Sequence, residues 1–337
     1  MFLRWIILPL SLSPLFAFTP APLYTPDPTS HPLAVEFSYL TFRIKPTTVE
    51  QFCPLHAPLE DALKYPAERR YQGFQVAIDI PIQEKINIHL SYLESYKTKP
   101  QVSHPIYPRK ESIAYHFDIT PPSTDVFMNF VSNSHHFQLQ YLDLSFNSKM
   151  SLYNKELGLV PKFGARFCRL YQATTTEMAF FYLEGPPIEE ERHYDYKQLL
   201  LGGGPQIGCK VIANLFVDWP LLNGLQFFAE PAISGIYGPL FLANDFYVDN
   251  GFAKEPILCE KVKKTTLTPV IDLSYGVSYD FTIHLLDRRV FEVNLSVAGF
   301  LEKWITPELN FRQAPDQRGL HNLTLSKGLL YSVAITF

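Results

Sequence analysis

Apolar and polar residues alternate with a period of two in segment after segment of this chain. In residues 268–281 every second side chain is apolar or aromatic, as Leu273 and Tyr275 are, and Asp272 and Ser274 represent the polar positions between them. This period places the two sets on opposite faces of a β-strand. The alternation occupies ten segments: residues 33–44, 71–80, 86–92, 135–146, 157–168, 203–211, 222–233, 268–281, 290–301 and 329–337.

Some segments follow the alternation imperfectly. In residues 33–44 and 135–146 the apolar positions change phase partway, in the second segment between Gln140 and Leu142. We interpret each change as a β-bulge or as an inaccurately placed segment boundary. Phe228 interrupts another polar face. Further strand candidates are residues 112–118 and 126–131, or part of 175–183.

The connections between the segments alternate in length. Long ones at residues 45–70, 96–134, 173–197, 239–266 and 303–323 alternate with short ones at 81–84, 147–155 and 283–288 and a moderate one at 213–221. Such asymmetry is typical of outer-membrane barrels. The sequence therefore predicts an all-β fold, a transmembrane antiparallel up-and-down β-barrel of ten to twelve strands with long extracellular loops and short periplasmic turns. Aromatic residues near segment ends are expected in interfacial girdles: Tyr71, Tyr92, Trp219, Tyr279 and Trp304.

The first residues have the layout of a secretory signal peptide. Arg4 gives a short positive start, residues 5–18 are mostly apolar, and small residues offer cleavage after Ala17 or Ala21. The apolar run is shorter than the roughly 20 residues that a membrane-spanning helix needs. We therefore divide the chain into a signal peptide (1–21), an extended proline-rich segment (22–32) and a single barrel domain (33–337).

Composition narrows the classes of function. Charged residues make up 18% of the chain, below the usual ~25%, and a net charge of −4 does not suit a nucleic-acid-binding surface. The chain contains no GxSxG, HExxH or phosphate-loop motif, and its cysteines lack the spacing of zinc ligands. We therefore expect no nucleic-acid partner, no cofactor, no metal site and no enzymatic activity.

The position of each residue in the period-two alternation assigns most charged residues of the strands to the inward face of the predicted barrel. A charge facing lipid near the membrane midplane would cost roughly 2–4 kcal/mol. Acidic residues outnumber basic ones in this set, which predicts a lumen that mildly favours cations. Alternatively, the charges pair across a narrow barrel and fill it. The candidate pore-lining residues are Glu36, Asp79, His89, Asp143, Lys162, Arg166, Gln206, Lys210, Glu230, Asp272, Asp280 and Glu292.

A series of short motifs follows a fixed order along the chain. They are residues 33–44, Gln72-Gly73-Phe74, Tyr141-Leu142-Asp143-Leu144, 161–166, 201–208, 268–276 and the terminal Phe337. In order and spacing they resemble the pore-forming outer-membrane proteins of the Legionella major outer-membrane protein type, whose relatives occur in chlamydiae; tryptophans expected on early strands are missing. The resemblance implies an outer-membrane porin and a terminal strand read by the outer-membrane assembly machinery, through Tyr331, Val333, Ile335 and Phe337.

The four cysteines bear on assembly. Parity points Cys168 inward and Cys209 outward, which argues against a bond between them in the barrel wall. Cys53 and Cys259 fall in predicted long loops, where a disulfide is geometrically easier. Four reduced thiols are the alternative, because export permits disulfides without requiring them. The resemblance to chlamydial envelope proteins, which tend to be disulfide cross-linked, implies cross-links to other envelope proteins.

Two functions are compatible with these patterns. The first is a porin that allows passive diffusion of small hydrophilic solutes or ions through a polar, mildly acidic lumen. The alternative is a structural or adhesive surface protein, with a closed barrel as anchor and long, disulfide-capable loops as the functional part. Either would lie in the outer membrane of a Gram-negative-type bacterium, with outer-membrane lipid and the assembly machinery as partners.

Overall fold

The structure is a computed structural model that describes residues 17–20, 33–45, 70–83, 86–96, 103–105, 126–148, 150–152, 157–182, 189–216, 219, 222–249, 253–284, 290–306 and 321–337. Its strands are β1 (Ala17–Pro20), β2 (Ala34–Lys45), β3 (Arg70–Gln83), β4 (Ile86–Tyr96), β5 (Ser103–Pro105), β6 (Val126–Ser148), β7 (Met150–Leu152), β8 (Leu157–Tyr182), β9 (Glu189–Ala213), β10 (Leu225–Asp249), β11 (Lys254–His284), β12 (Val290–Thr306) and β13 (His321–Thr336). No described residue belongs to a helix long and apolar enough to cross a membrane.

Ten of the described strands form a closed antiparallel barrel, which confirms the predicted fold class. In ring order they are β2, β3, β4, β6, β8, β9, β10, β11, β12 and β13. The ring closes where β13 pairs with β2 in a register that sets Ser332 opposite Ser38, with 2.8 Å between their hydroxyl oxygens. Beyond this pair the backbone N–H of Phe337 donates a hydrogen bond to the Leu33 carbonyl at 3.0 Å.

The outer surface carries a belt of exposed apolar side chains. Phe163 is 58% exposed, Ile233 60% and Tyr275 56%, although each sits in the middle of a well-paired strand. Water would make such a surface unfavourable, whereas lipid solvates it, and charges are kept off it. The apolar belt and the closed ring place this barrel in an outer membrane.

The ends of the barrel differ in their connections. One end, here called the short-turn end, has strand pairs joined through residues 84–85 and 285–289. The opposite end, the long-loop end, has connections such as residues 46–69 and 307–320.

At the long-loop end, the prediction of loops is wrong for two segments. Residues 173–197 and 239–266 lie largely in strands, because β8, β9, β10 and β11 run for 26, 25, 25 and 31 residues. About 9–11 residues suffice to cross a bilayer, so these strands continue as a paired sheet beyond the membrane. The candidate strands at 126–131 and 175–182 are extensions of β6 and β8, and 112–118 and residue 183 lie outside the described residues.

Of the N-terminal region, the structure describes only residues 17–20, which form β1. β1 pairs with β11, with Ala17 opposite His284 and Pro20 opposite Phe281. Residues 1–16 and 21–32 lie outside the described residues. The signal peptide, its cleavage point and the extended segment therefore stay predictions.

Bulges account for only part of the phase changes. The register shifts where β2 pairs with β13, between Thr41 and Arg43, whereas β2 pairs with β3, and β6 with β4 and β8, without a shift over these segments. In β2 the apolar set moves from exposed Phe37 and Tyr39 to buried Leu40 and Phe42, which point into the barrel. The pattern changes because the interior itself becomes apolar.

Candidate functional site in the barrel interior

The interior near the short-turn end is a layer of paired polar groups. His89 Nδ1 lies 2.9 Å from the Asp79 carboxylate, and Lys162 forms an ion pair with Glu230. Asp280 accepts hydrogen bonds from Gln226, at 2.8 Å, and from Asn294. All come from adjacent or nearby strands whose inward positions are set by the alternation. The charged groups of this layer are bound by side chains of neighbouring or next-but-one strands of the barrel wall.

Deeper in the barrel, Arg166 lies among carboxylates and is 4% exposed. Its Nε and Nη2 donate to the two oxygens of Asp143, both at 2.8 Å, and Nη1 donates to Asp272 at 2.6 Å. The guanidinium carbon lies 4.4 Å from the centroid of the Tyr141 ring. A fork of this kind matches guanidinium geometry to carboxylates. Glu302, fully buried, is the cross-strand partner of Asp272.

Above this layer, toward the long-loop end, the interior is filled by apolar and aromatic side chains. Phe42 stacks on Tyr71 at 5.8 Å between ring centroids, and Phe137 contacts both rings edge-on at 6.1 and 5.6 Å. Trp304 is 0% exposed, and its indole N–H donates to Glu302. The apolar layer comprises Leu40, Phe42, Tyr71, Leu93, Phe137, Leu139, Leu170, Leu200, Ile236, Leu240, Leu242, Val270, Trp304 and Leu325.

The structure brings most of the predicted interior residues together, in three groups. Asp143, Arg166 and Asp272 form one group, while Lys162–Glu230 and Asp79–His89 form separate pairs. The other five candidates have separate surroundings. Glu36 accepts a hydrogen bond from the Ser38 hydroxyl at 3.0 Å, and Lys210 Nζ lies 4.8 Å from the centroid of the Phe228 ring. Gln206 is buried, Asp280 belongs to the layer near the short-turn end, and Glu292 is exposed. Whether any of them lines a pore stays a prediction.

Sequence reasoning missed the apolar layer and Glu302. Tyr71 and Trp304 were expected in the interfacial girdles; that expectation is wrong, because they are 1% and 0% exposed and point inward. Tyr92 and Trp219 are exposed on the described surface. The available signal was the phase change in β2 and β6, since two apolar faces on one strand cancel the period of two. Phe228 has the same explanation, because it faces inward over Lys210.

The described cysteines carry free thiols. Cys168 is buried inside the barrel, and Cys259 is exposed on the extension of β11, where its thiol donates to Asp245 Oδ1 at 3.0 Å. This hydrogen bond and the nearby carboxylate raise the pKa of Cys259. Cys53 lies outside the described residues, so the disulfide with Cys259 stays a prediction.

No family model matches the chain, and no curated protein matches it. Among solved structures, it is similar to the outer membrane protease OmpT from Escherichia coli, with 9% identity, coverage of 95% of this chain and 98% of that one, and a TM-score of 0.39. It is also similar to LpxR from Salmonella typhimurium, with 11% identity, coverage of 90% and 99%, and a TM-score of 0.26. It is similar as well to the translocator domain of the autotransporter NalP from Neisseria meningitidis, with 8% identity, coverage of 92% of this chain and 90% of that one, and a TM-score of 0.28. Likenesses this low say nothing about what this chain binds or does.

The expectation that the protein is not an enzyme is wrong as an inference from motifs and architecture. It depended on the missing catalytic motifs, yet the solved barrels with similar architecture include a protease.

The closed strand ring, the apolar belt and the paired charges inside define an outer-membrane β-barrel protein. Outer-membrane lipid is its surrounding partner. The finer resemblance to the Legionella and chlamydial proteins stays a prediction.

Proposed function

We propose that the protein is a closed outer-membrane barrel that anchors an external β-sheet and acts by contact at the cell surface. The observation that carries this proposal is the apolar layer across the barrel interior. Phe42, Phe137 and Trp304 come from strands on different sides of the ring and meet there with almost no exposed surface.

The polar layer below supports the same conclusion. A hydrated channel would leave ionised side chains in contact with water along its axis, whereas Arg166 is almost fully buried and both its neighbours, Asp143 and Asp272, are buried with it. Small barrels are commonly filled by their own side chains. In the proposal, the charges that suggested a lumen in the sequence connect neighbouring strands of the barrel wall.

In the proposal, the protein makes contact through the external sheet, which is formed by the extensions of β8 to β11. Beyond the apolar belt, β8 to β11 continue for roughly 12 residues, or about 40 Å of extended chain. The part of its outer face farthest from the belt carries polar and aromatic contacts. Thr175 donates to Asp195 at 2.7 Å, and His193 stacks on Tyr247 at 4.6 Å and approaches Glu191 at 3.3 Å. A polar, aromatic surface of this kind suits contact with other molecules.

The porin hypothesis makes the opposite prediction for one measurement. Full-length protein is incorporated into planar bilayers and current is recorded over a range of voltages. The proposal expects no discrete conductance steps, with incorporation verified separately by heat-modifiable gel mobility of protein recovered from the bilayer lipid. Reproducible steps from the natural protein would overturn the closed-barrel proposal and restore the porin.

A further inference from the structure

A cavity of about 270 Å³ opens on the outer face of the external sheet, across β9, β10 and β11. Its apolar lining includes Leu199, Phe241 and Ala243, and its basic lining is Lys197, Lys261 and Lys263. Odd-numbered residues face outward here, because their neighbours Leu200 and Leu242 are buried in the barrel. The cavity therefore faces the surroundings of the barrel and not its interior.

The strand register explains why a cavity forms at this point. Ala243 lies directly between Lys197 on β9 and Lys261 on β11, as the cross-strand partner of both. Neighbouring strands are about 4.8 Å apart, so the two lysines flank a small side chain at a separation of about 10 Å. In the adjacent row Phe241 lies between Leu199 and Lys263, and Lys263 Nζ is 5.2 Å from the Phe241 ring centroid. The result is a pit with an apolar floor and basic walls.

The height of the pit matches the polar headgroups of a bilayer. The apolar belt ends at Phe167, Tyr237 and Leu267, which are all more than half exposed. Lys263 lies four residues beyond Leu267, about 13 Å along the strand, which a strand tilt of 35–45° reduces to about 10 Å of height. Lysine side chains reach toward the interface with their ammonium groups while their stems cover apolar surface.

Charge on the membrane side of the pit is one-sided. Between the belt and the lysines, the outward positions of β8 to β11 add the exposed Arg169. Carboxylates occur one row farther from the membrane, at Asp195 and Asp245, where they accept hydrogen bonds from Thr175 and Cys259. Within the described residues, Lys197 and Lys261 make no ion pair. An anion approaching from the membrane meets ammonium groups before it meets a carboxylate.

From this geometry we infer that the pit binds the phosphate-bearing headgroup of an outer-leaflet lipid, whose acyl chains lie on the apolar belt below. The lysines supply charge-assisted hydrogen bonds to phosphate oxygens. Phe241 and Leu199 continue the apolar surface of the belt upward, so that one molecule contacts both regions. A free phosphate ion would use the lysines but not this continuity.

The test compares two charge-matched double variants of the full chain in detergent micelles. Lys197→Gln/Lys261→Gln removes two walls of the pit, whereas Lys254→Gln/Lys264→Gln removes two exposed lysines of β11 that do not line it. Native mass spectrometry counts bound diphosphorylated lipid A over a titration. We expect roughly tenfold weaker binding for the first variant and unchanged binding for the second. Equal loss in both variants, or no loss in either, would overturn the inference.

Two further measurements distinguish a lipid phosphate from a free phosphate ion as the ligand. Dephosphorylated lipid A should bind at least tenfold more weakly than the phosphorylated lipid, and inorganic phosphate should compete only at far higher concentration. Undiminished binding of the dephosphorylated lipid, or equally tight binding of inorganic phosphate, counts against a lipid phosphate site. Heat-modifiable gel mobility verifies that each variant is folded. The result is independent of the conductance experiment, because the pit lies outside the barrel.

Discussion

Arg166 shows how a single residue couples four strands of the barrel. It stands on β8 and binds Asp143 of β6 and Asp272 of β11, and Asp272 faces Glu302 across the β11–β12 pair. Two buried oxygens, Asp272 Oδ1 and Glu302 Oε2, have no hydrogen-bond partner among the described residues. The group is therefore short of donors, and the guanidinium is its main source of positive charge.

Removing this guanidinium should be strongly destabilising. Arg166→Gln leaves buried carboxylates unpaired, and breaking a buried ion pair by deleting one partner costs about 3–5 kcal/mol. The free energy of unfolding, from urea titrations of barrel folded into vesicles, measures the change. Arg169→Gln on the same strand is the control, because Arg169 is exposed and should change stability by less than about 1 kcal/mol. Similar effects of both substitutions would show that the buried group contributes little.

A second residue-scale prediction concerns Cys259. The Asp245 carboxylate accepts a hydrogen bond from the thiol and raises its pKa, so less thiolate is present at a given pH above neutrality. Asp245→Asn should lower this pKa and speed alkylation at pH 8, because the thiolate is the reactive form. Iodoacetamide rates are followed against pH in a background in which the other cysteines are serine.

Two comparisons complete this experiment. Glu255→Gln, an exposed change on the same strand, should leave the rate profile unchanged. An Asp245→Asn profile identical to that of the parent would contradict the assigned hydrogen bond. In the natural chain, alkylation of Cys259 only after reduction would support the predicted disulfide with Cys53.

At the scale of the strand, glycines allow close contact between the neighbouring strands β9 and β10 of the barrel wall. A Cβ added to Gly204 would lie 1.7 Å from the Gly235 carbonyl oxygen, which is fixed backbone. The run of glycines at 202–204 thus lets two strands approach, as expected of glycine within a barrel strand.

Gly204→Ala should therefore force the two strands apart. We expect destabilisation of at least about 1–3 kcal/mol, the usual cost of overpacking, or failure to fold. Gly158→Ala is a matched control on β8, because its nearest neighbouring atom would be 3.7 Å from the new Cβ. The folded fraction by heat-modifiable gel mobility and the urea midpoint give the comparison. Equal tolerance of both alanines would contradict the close approach of β9 and β10 at Gly204.

The strand faces were predictable because lipid excludes charge. Asp272, Arg166 and Lys162 all point inward as their parity requires, and the exposed apolar set of β13 faces outward. The apolar half of the interior was not predictable in this way. In β2 the apolar residues Leu40 and Phe42 follow the apolar Tyr39. From the alternation alone, a strand with two apolar faces cannot be distinguished from a strand whose alternation is shifted by one residue.

The extended sheet was missed for a related physical reason. Above the membrane the outer face of β8 to β11 is no longer in lipid, so outward residues such as Thr175, Glu177 and Asp195 are polar and the hydrophobic alternation is weak. Their pairing depends on backbone hydrogen bonds between neighbouring strands, over which the side-chain pattern has little control. A sequence reading based on alternation ends such strands too early, where the lipid ends.

For the whole molecule, the proposed closed barrel predicts that the apolar layer blocks conduction. A triple variant, Phe42→Ala/Phe137→Ala/Trp304→Ala, removes three large side chains that are almost fully buried and should open a path beside the polar layer below. We expect conductance steps from this variant and none from the natural chain in the same planar bilayers. Tyr92→Ala/Phe163→Ala/Tyr275→Ala removes comparable bulk from the exposed belt and should remain silent. A silent interior variant that is folded would show that other groups seal the barrel.

The proposed closed interior has a consequence for the cell that carries the protein. An open channel exposes its host to every noxious solute small enough to enter, so leakage limits the tolerable number of copies. If Phe42, Tyr71, Phe137 and Trp304 seal the barrel as proposed, leakage sets no such limit. The outer membrane could then hold many copies of the protein and remain a permeability barrier.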